Sequence, residues 1–209
     1  MSAAVTLSLA QQPEHALVAD CIAADRFASL GAKQIAELPV VHGGRRATLG
    51  DFFKVRGERS STLRIEGELA RVEGIGTAMA GGEIVIHGSA GAEAGARMRR
   101  GLVVVTGDVE RGAGTGMIAG TVVVFGKAAA GAGRFLKRGS LVALGAIERP
   151  ASFRYACTYR PPHIPVLLRY LRARYGLAVA ERQITGRYAR YSGDLAELGR
   201  GEILQWVAP

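Results

Sequence analysis

Cysteine, histidine and aromatic residues are all scarce in this chain, and each scarcity closes off a class of function. The two cysteines, Cys21 and Cys157, lie far apart with no Cys-x-x-Cys, which excludes a disulfide framework and implies reduced thiols in a reducing compartment. Cys157 has no base near it in sequence and reads as a small buried thiol. His15, His42, His87 and His163 include no i, i+4 pair and no neighbouring cysteine, so no metal site emerges. Aromatic residues make up 6% of the chain and do not interleave with the arginines, as a nucleic-acid-binding strip requires. No apolar run approaches the roughly 20 residues of a membrane span, and Met1 to Gln12 has no basic leader. The expectation is a cytoplasmic chain that binds neither nucleic acid nor membrane.

Glycine and small apolar residues are abundant, and they repeat. Gly88, Gly107, Gly126 and Gly145 stand 19 residues apart, as do Gly82, Gly101, Gly120 and Gly139, and Gly76, Gly95, Gly114 and Gly133. Met79, Met98, Met117 and Leu136 form an apolar column at the same step, and Ile84, Val103, Val122 and Leu141 form another. A fixed period near 20 residues, with strand-like triplets between glycine turns, predicts a solenoid. The β-branched triplets and the lack of helical periodicity predict a mainly β fold, a right-handed parallel β-helix with 19-residue coils over residues 62–147. Residues 1–61 form an α+β cap in this scheme, and residues 148–209 a C-terminal helix and docking tail.

Strand alternation adds a consequence. If Ile84 and Ile86 point inward, then Val85, Val104, Val123 and Val142 form an outward apolar row that something must cover. The apolar face of a helix over Ile164 to Tyr175, carrying Leu167, Leu168 and Leu171 and stopped by Gly176, is the candidate cover. Leu63 and Ile65 match Ile84 and Ile86 after 21 residues, so two extra residues must loop out around Glu68 to Glu73. In the N-terminal segment, Val5 to Leu9 reads as a strand, Ala32 to Leu38 as a short helix, and Asp51 to Val55 as feeding a strand. Ile203 to Val207 reads as an edge strand or a segment docked on a partner.

The search for chemistry yields no catalytic residue. Gly112-x-Gly114-x-Gly116 precedes neither a Lys-Ser/Thr pair nor a helix, and reads as turn glycines rather than a phosphate loop. Glu66, Glu68 and Glu73 balance arginines, while Asp194 and Glu202, in a turn and at a strand start, read as capping or turn residues. Charge is the remaining feature, with a net +9 and a pI of about 10.1. Arg99 and Arg100 share repeat positions with Lys137 and Arg138, near Arg97 and Arg134. These line one edge, either as a solvated rim that keeps the solenoid soluble or as a groove for a polyanionic chain.

Several stretches carry a resemblance. Gly76 to Gly82 (GTAMAGG), Gly88 through Gly95 to Met98, Gly112 to Gly120 (GAGTGMIAG), Arg190 to Leu195 (RYSGDL), Gly201 to Leu204 (GEIL) and Pro39 to Phe53 (PVVHGGRRATLGDFF) resemble the C subunit of formylmethanofuran dehydrogenases. The repeats alone are also similar to the C-terminal domain of the glutamate synthase large subunit, while the tail and the Pro39 to Phe53 segment favour the first family. One branch of that family belongs to a tungsten or molybdenum dehydrogenase of methanogenic archaea. The other belongs to the formyltransferase/hydrolase complex of methylotrophic bacteria, which converts formyl-tetrahydromethanopterin to formate through a formylated furan cofactor in formaldehyde oxidation. An Arg- and Ala-rich composition with four lysines sides with the bacterial branch. The resemblance implies a subunit without catalytic residues of its own, a scaffold for hydrolase-like and formyltransferase partners. It also implies that the basic edge, Arg99, Arg100, Lys137 and Arg138, faces the acidic, glutamate-containing tail of a methanofuran-type carrier. An autonomous acyltransferase is the rival enzyme class, but the hexapeptide repeat of left-handed β-helices is missing.

Overall fold

The 19-residue period becomes a hydrogen-bond register. The computed structural model describes residues 4–208, so Met1 to Ala3 of the leader reading and of the expected 1–61 unit, and Pro209 of the 148–209 unit, lie outside the described residues. The N-terminal segment runs β1 (Val5–Leu9), β2 (Leu17–Val18), α1 (Ala24–Phe27), α2 (Ala32–Ala36), β3 (Pro39–His42), β4 (Arg45–Thr48), α3 (Leu49–Phe52) and β5 (Phe53–Arg56). The repeats supply β6 (Thr62–Glu66), β7 (Val72–Glu73), β8 (Glu83–His87), β9 (Leu102–Val105), β10 (Thr121–Val124) and β11 (Ser140–Ala143). The remainder is β12 (Arg154–Tyr159), α4 (His163–Tyr175), α5 (Glu181–Ile184), β13 (Arg187–Gly193) and β14 (Gly201–Val207).

The fold is mainly β, with a ten-stranded mixed sheet in the order β12-β13-β14-β11-β10-β9-β8-β6-β1-β5 and a four-stranded sheet β4-β3-β2-β7. Within the large sheet β8, β9, β10 and β11 pair in parallel, Ile84 with Val103, Val103 with Val122, and Val122 with Leu141. A second ladder of single bridges links Leu69, Ala90, Val109, Ala128 and Ile147. Residues 19 apart therefore lie over one another at two places in each repeat. Met79, Met98 and Met117 share one file, each wholly buried, and their carbonyls accept from Arg99, Ile118 and Lys137 of the following repeat at 2.8, 2.8 and 2.9 Å. Gly120 shows why glycine recurs beside this file. Its φ is +104°, and a Cβ there would lie 2.8 Å from both the Met98 methyl and the Gly101 carbonyl oxygen.

The two extra residues of the first repeat have a use. Leu63 pairs with Ile84 and Leu69 bridges to Ala90, still 21 apart, whereas Ile75 and Ala94, 19 apart, occupy equivalent places as acceptors from Gly95 and Gly114. The surplus falls at 70–74, where β7 pairs with β2 and ties the N-terminal segment to the repeats. Both ends of the stack are continued by flanking strands. β1 extends it in parallel beside β6, and β14 beside β11, with Leu141 opposite Ile203.

The outward valine row is covered as the alternation requires. Val85, Val104, Val123 and Val142 are fully buried in a cluster with Ile164, Leu168 and Leu171 of α4. Burial of that kind contributes about 1.5–3 kcal/mol per side chain. Glu83 at the start of β8 accepts hydrogen bonds from the hydroxyls of Tyr170 and Tyr175, which fastens the helix across the sheet.

Four sequence expectations change. Residues 203–207 are no edge, because β14 lies between β11 and β13. The edge on that side is β12, and Cys157 within it is exposed rather than buried. The short helix α2 ends at Ala36, before the bend into Pro39. Asp51 opens no strand, because its carboxylate accepts from the Thr48 N–H at 2.7 Å and closes the helical turn α3, delaying the strand to Phe53.

Candidate functional site

The basic edge is built by the turn that follows each methionine. Because Arg99, Ile118 and Lys137 each donate their N–H to the preceding methionine carbonyl, the three form one file, and Arg100, Ala119 and Arg138 form the file beside it. Arg99 and Lys137 face a common depression of about 480 Å³, also lined by Arg97, Ile118, Phe135 and Glu197. Arg100 and Arg138 are exposed on the neighbouring file and do not line it. The structure thus brings two of the four expected residues together. Lys137 Nζ lies 3.9 Å from Glu197, whereas Arg99, Arg100 and Arg138 have no carboxylate in ion-pair range among the described residues.

Phe135 and Asp194, which sequence reasoning did not assign to this edge, organise its far end. Ala78, Arg97, Gly116 and Phe135 form one file at the 19-residue step, with φ of 55°, 53°, 63° and 59°. A left-handed conformation costs a residue with a Cβ about 1–2 kcal/mol, and it is least common for a bulky side chain. Backbone bonding holds it. The N–H groups of Ala78, Arg97 and Gly116 donate to Ala96, Thr115 and Arg134 carbonyls of the next repeat at 2.8, 2.7 and 2.7 Å. After Phe135 no further repeat follows, and its N–H donates instead to Asp194 Oδ2 at 2.9 Å.

Asp194 is 1% exposed and also takes the Ala196 N–H at 2.9 Å, while its own N–H donates to the Leu136 carbonyl at 3.2 Å. Burial acts to raise its carboxyl, but hydrogen bonds from Ser152, Ala196 and Phe135 and the Arg134 charge together hold it below the usual carboxylate range. Phe135 is 40% exposed and its ring carries the Arg134 guanidinium at 4.7 Å. Two more depressions, of about 440 and 470 Å³, adjoin this pair, and Phe135 lines all three. The 19-residue column is the signal that leads to Phe135. Nothing periodic leads to Asp194.

The other chemical candidates take structural places. His42 Nε2 accepts the His15 N–H at 3.2 Å, and half-burial together with the Arg64 charge lowers the His87 imidazole. Burial pushes the Cys21 thiol up to about 11. Gly112, Gly114 and Gly116 are turn glycines, all with positive φ. No group of three or more His, Cys, Asp or Glu side chains is placed to hold a metal ion among the described residues.

Comparison with known proteins gives the setting. No protein-family model matches the sequence. Over 80 residues, 36% of this chain, it is 40% identical to the C subunit of the molybdenum-containing formylmethanofuran dehydrogenase 1 of Methanosarcina barkeri. Over 97 residues it is 33% identical to the C subunit of the tungsten-containing formylmethanofuran dehydrogenase 2 of Methanothermobacter wolfeii. Its homologues are formylmethanofuran dehydrogenase C subunits. The matched stretches span 27% and 36% of those C subunits' own lengths. The likeness to a solved structure is longer. One chain of the formyltransferase/hydrolase complex from Methylorubrum extorquens, crystallised with methylofuran, matches with a TM-score of 0.57 and 25% identity over 97% of this chain and 100% of that one.

Proposed function

We propose that this chain is the non-catalytic scaffold subunit of a one-carbon enzyme complex of the formyltransferase/hydrolase type, which converts formyl-tetrahydromethanopterin to formate through a methanofuran-type carrier. The observation that carries this reading is the end-to-end likeness to one chain of the Methylorubrum extorquens complex, against partial matches to the archaeal C subunits. In this proposal the repeats form a right-handed parallel β-helix over 62–147, closed by the 1–61 cap and the 148–209 helix and tail. The 19-residue parallel registers support it, as does the right-hand rule for parallel crossovers. The stack offers rigid faces to hydrolase-like and formyltransferase partners in the cytoplasm. No helix among the described residues is long and apolar enough to cross a membrane.

Arg99, Arg100, Lys137 and Arg138 hold the acidic tail of the carrier in this scheme. Support comes from the depression that Arg99 and Lys137 share and from the neighbouring file of Arg100 and Arg138. One exposed ion pair is worth about 0.2–1 kcal/mol, so the tail must engage several cations at once. The test is turnover of the assembled complex carrying Arg99→Glu with Lys137→Glu. A deficit largest at low ionic strength and shrinking with added salt is expected, and unchanged kinetics at low salt contradict the site.

The 40% identity to a molybdenum enzyme's C subunit favours a second reading, the C subunit of a molybdenum or tungsten formylmethanofuran dehydrogenase. Metal analysis of the assembly purified from the native cell separates the two. Stoichiometric molybdenum or tungsten selects the dehydrogenase.

A further inference from the structure

We propose that Phe135 anchors a docking site for another protein chain, and that the docked segment presents an apolar side chain flanked by carboxylates. The proposal rests on the scaffold reading, since it needs a partner chain to exist. Its basis is the backbone. Phe135 holds a bulky side chain at φ 59°, in a file whose preceding member is Gly116 at 63°. A disfavoured conformation persists where its surroundings over-determine it, and here the buried Asp194 carboxylate grips the Phe135 N–H. The strained residue is then not hidden, because Phe135 is 40% exposed and lines three depressions.

Charge selects the partner. Arg134 borders both of the depressions of about 440 and 470 Å³, with Arg149 beside it in the first and Arg111 in the second, and none of the three has a carboxylate in ion-pair range among the described residues. Arg134 and Arg149 already rest over aromatic rings, their guanidinium carbons 4.7 Å from the Phe135 ring centre and 3.9 Å from that of Tyr191, so less freedom remains to be lost on binding. The carboxylates of the same surface are engaged within the chain. Glu93 lies 3.8 Å from Arg97, Glu148 lies 2.5 Å from Lys127, and Asp194 serves backbone amides. An aromatic anchor bordered by arginines is the composition of an interface hot spot, and the charge of Arg111 and Arg149, which no carboxylate pairs among the described residues, calls for acidic residues opposite.

The test uses the full chain, tagged and expressed in its native cell. Phe135→Gly relieves the left-handed strain while removing the anchor, so its effects on stability and docking have opposite signs. The expected result is a thermal midpoint at or above the parental value together with a roughly tenfold or greater loss of co-purifying partner chains. Unchanged recovery overturns the proposal, and so does a loss of recovery that only follows a lowered midpoint. Independently, photoactivatable benzoylphenylalanine at position 135 should cross-link to a stretch of a different chain in which carboxylates flank an apolar residue. A cross-link to a second copy of this chain, to a segment without carboxylates or to a small molecule overturns the site, as does no cross-link at all. Partners that co-purify without a cross-link leave the scaffold reading standing and remove this docking site, whereas a chain recovered alone removes both.

Discussion

Asp194 Oδ2 lies 2.9 Å from the N–H of Phe135, where each earlier repeat has a backbone carbonyl of its successor. The same residue's N–H reaches the Leu136 carbonyl, the place that Arg99, Ile118 and Lys137 take against Met79, Met98 and Met117. One side chain and its own amide thus finish two hydrogen-bond ladders that would otherwise end in unpaired groups.

Removing that finish is costly. Asp194→Ala leaves the amides of Phe135 and Ala196 without acceptors, at about 1–3 kcal/mol each, so a loss of about 2–6 kcal/mol is expected in urea unfolding. The acid side has a defined sign. Because the folded carboxyl is held below its ordinary value, its contribution is fully present above the unfolded pKa of about 3.9 and disappears as pH falls through the lower folded value. The stability gap between the parent and Asp194→Asn should therefore hold at pH 6 and narrow below about pH 4.

At the other face, Tyr175 donates to Glu83 from within the α4 docking surface. Burial, and then the bond to Glu83, push its hydroxyl far above the usual tyrosine range. A raised acid of this kind contributes stability that is present below the unfolded pKa of about 10 and is lost as pH climbs toward the folded value. Tyr175→Phe should cost about 1.5–3 kcal/mol at neutral pH, and that cost should shrink in thermal scans taken above about pH 10.

Gly120→Ala tests the stacking distance directly. Its φ of +104° and the contacts at 2.8 Å to the Gly101 carbonyl and the Met98 methyl leave the new methyl nowhere to go. A loss of about 1–3 kcal/mol is expected. Met98→Ala should not rescue it, since the carbonyl contact remains; full rescue would show that only the side chain is in the way.

The helix–sheet contact gives a further magnitude. Leu168 is wholly buried against the row of Val85, Val104, Val123 and Val142. Leu168→Ala should lower stability by about 2–5 kcal/mol, measured from the urea midpoint at constant slope.

What is legible in the sequence is whatever repeats. The column of Met79, Met98 and Met117, the valine row and the surplus before Gly76 all follow from counting, because in-register parallel pairing turns a sequence interval into a spatial one. The tail does not repeat. Ile203 pairs with Leu141 across β12, α4, α5 and β13, and no local pattern distinguishes that interior place from an edge. The exposure of Cys157 escapes the sequence for the same reason, since nothing periodic marks the place of β12 beyond β13 at the end of the sheet. On the basic edge, the file of Arg99 and Lys137 is readable, but Asp194 and Glu197 reach it from the non-periodic tail.

The most direct measurement of the proposed scaffold role is native mass spectrometry of the tagged chain purified from its own cell, paired with a formyl-transfer and hydrolysis assay of each separated component. The expected result is an assembly containing this chain with formyltransferase and hydrolase-like subunits, active only when complete, and an isolated chain with no turnover. A monomer recovered alone, or one that turns over formyl-tetrahydromethanopterin by itself, contradicts it.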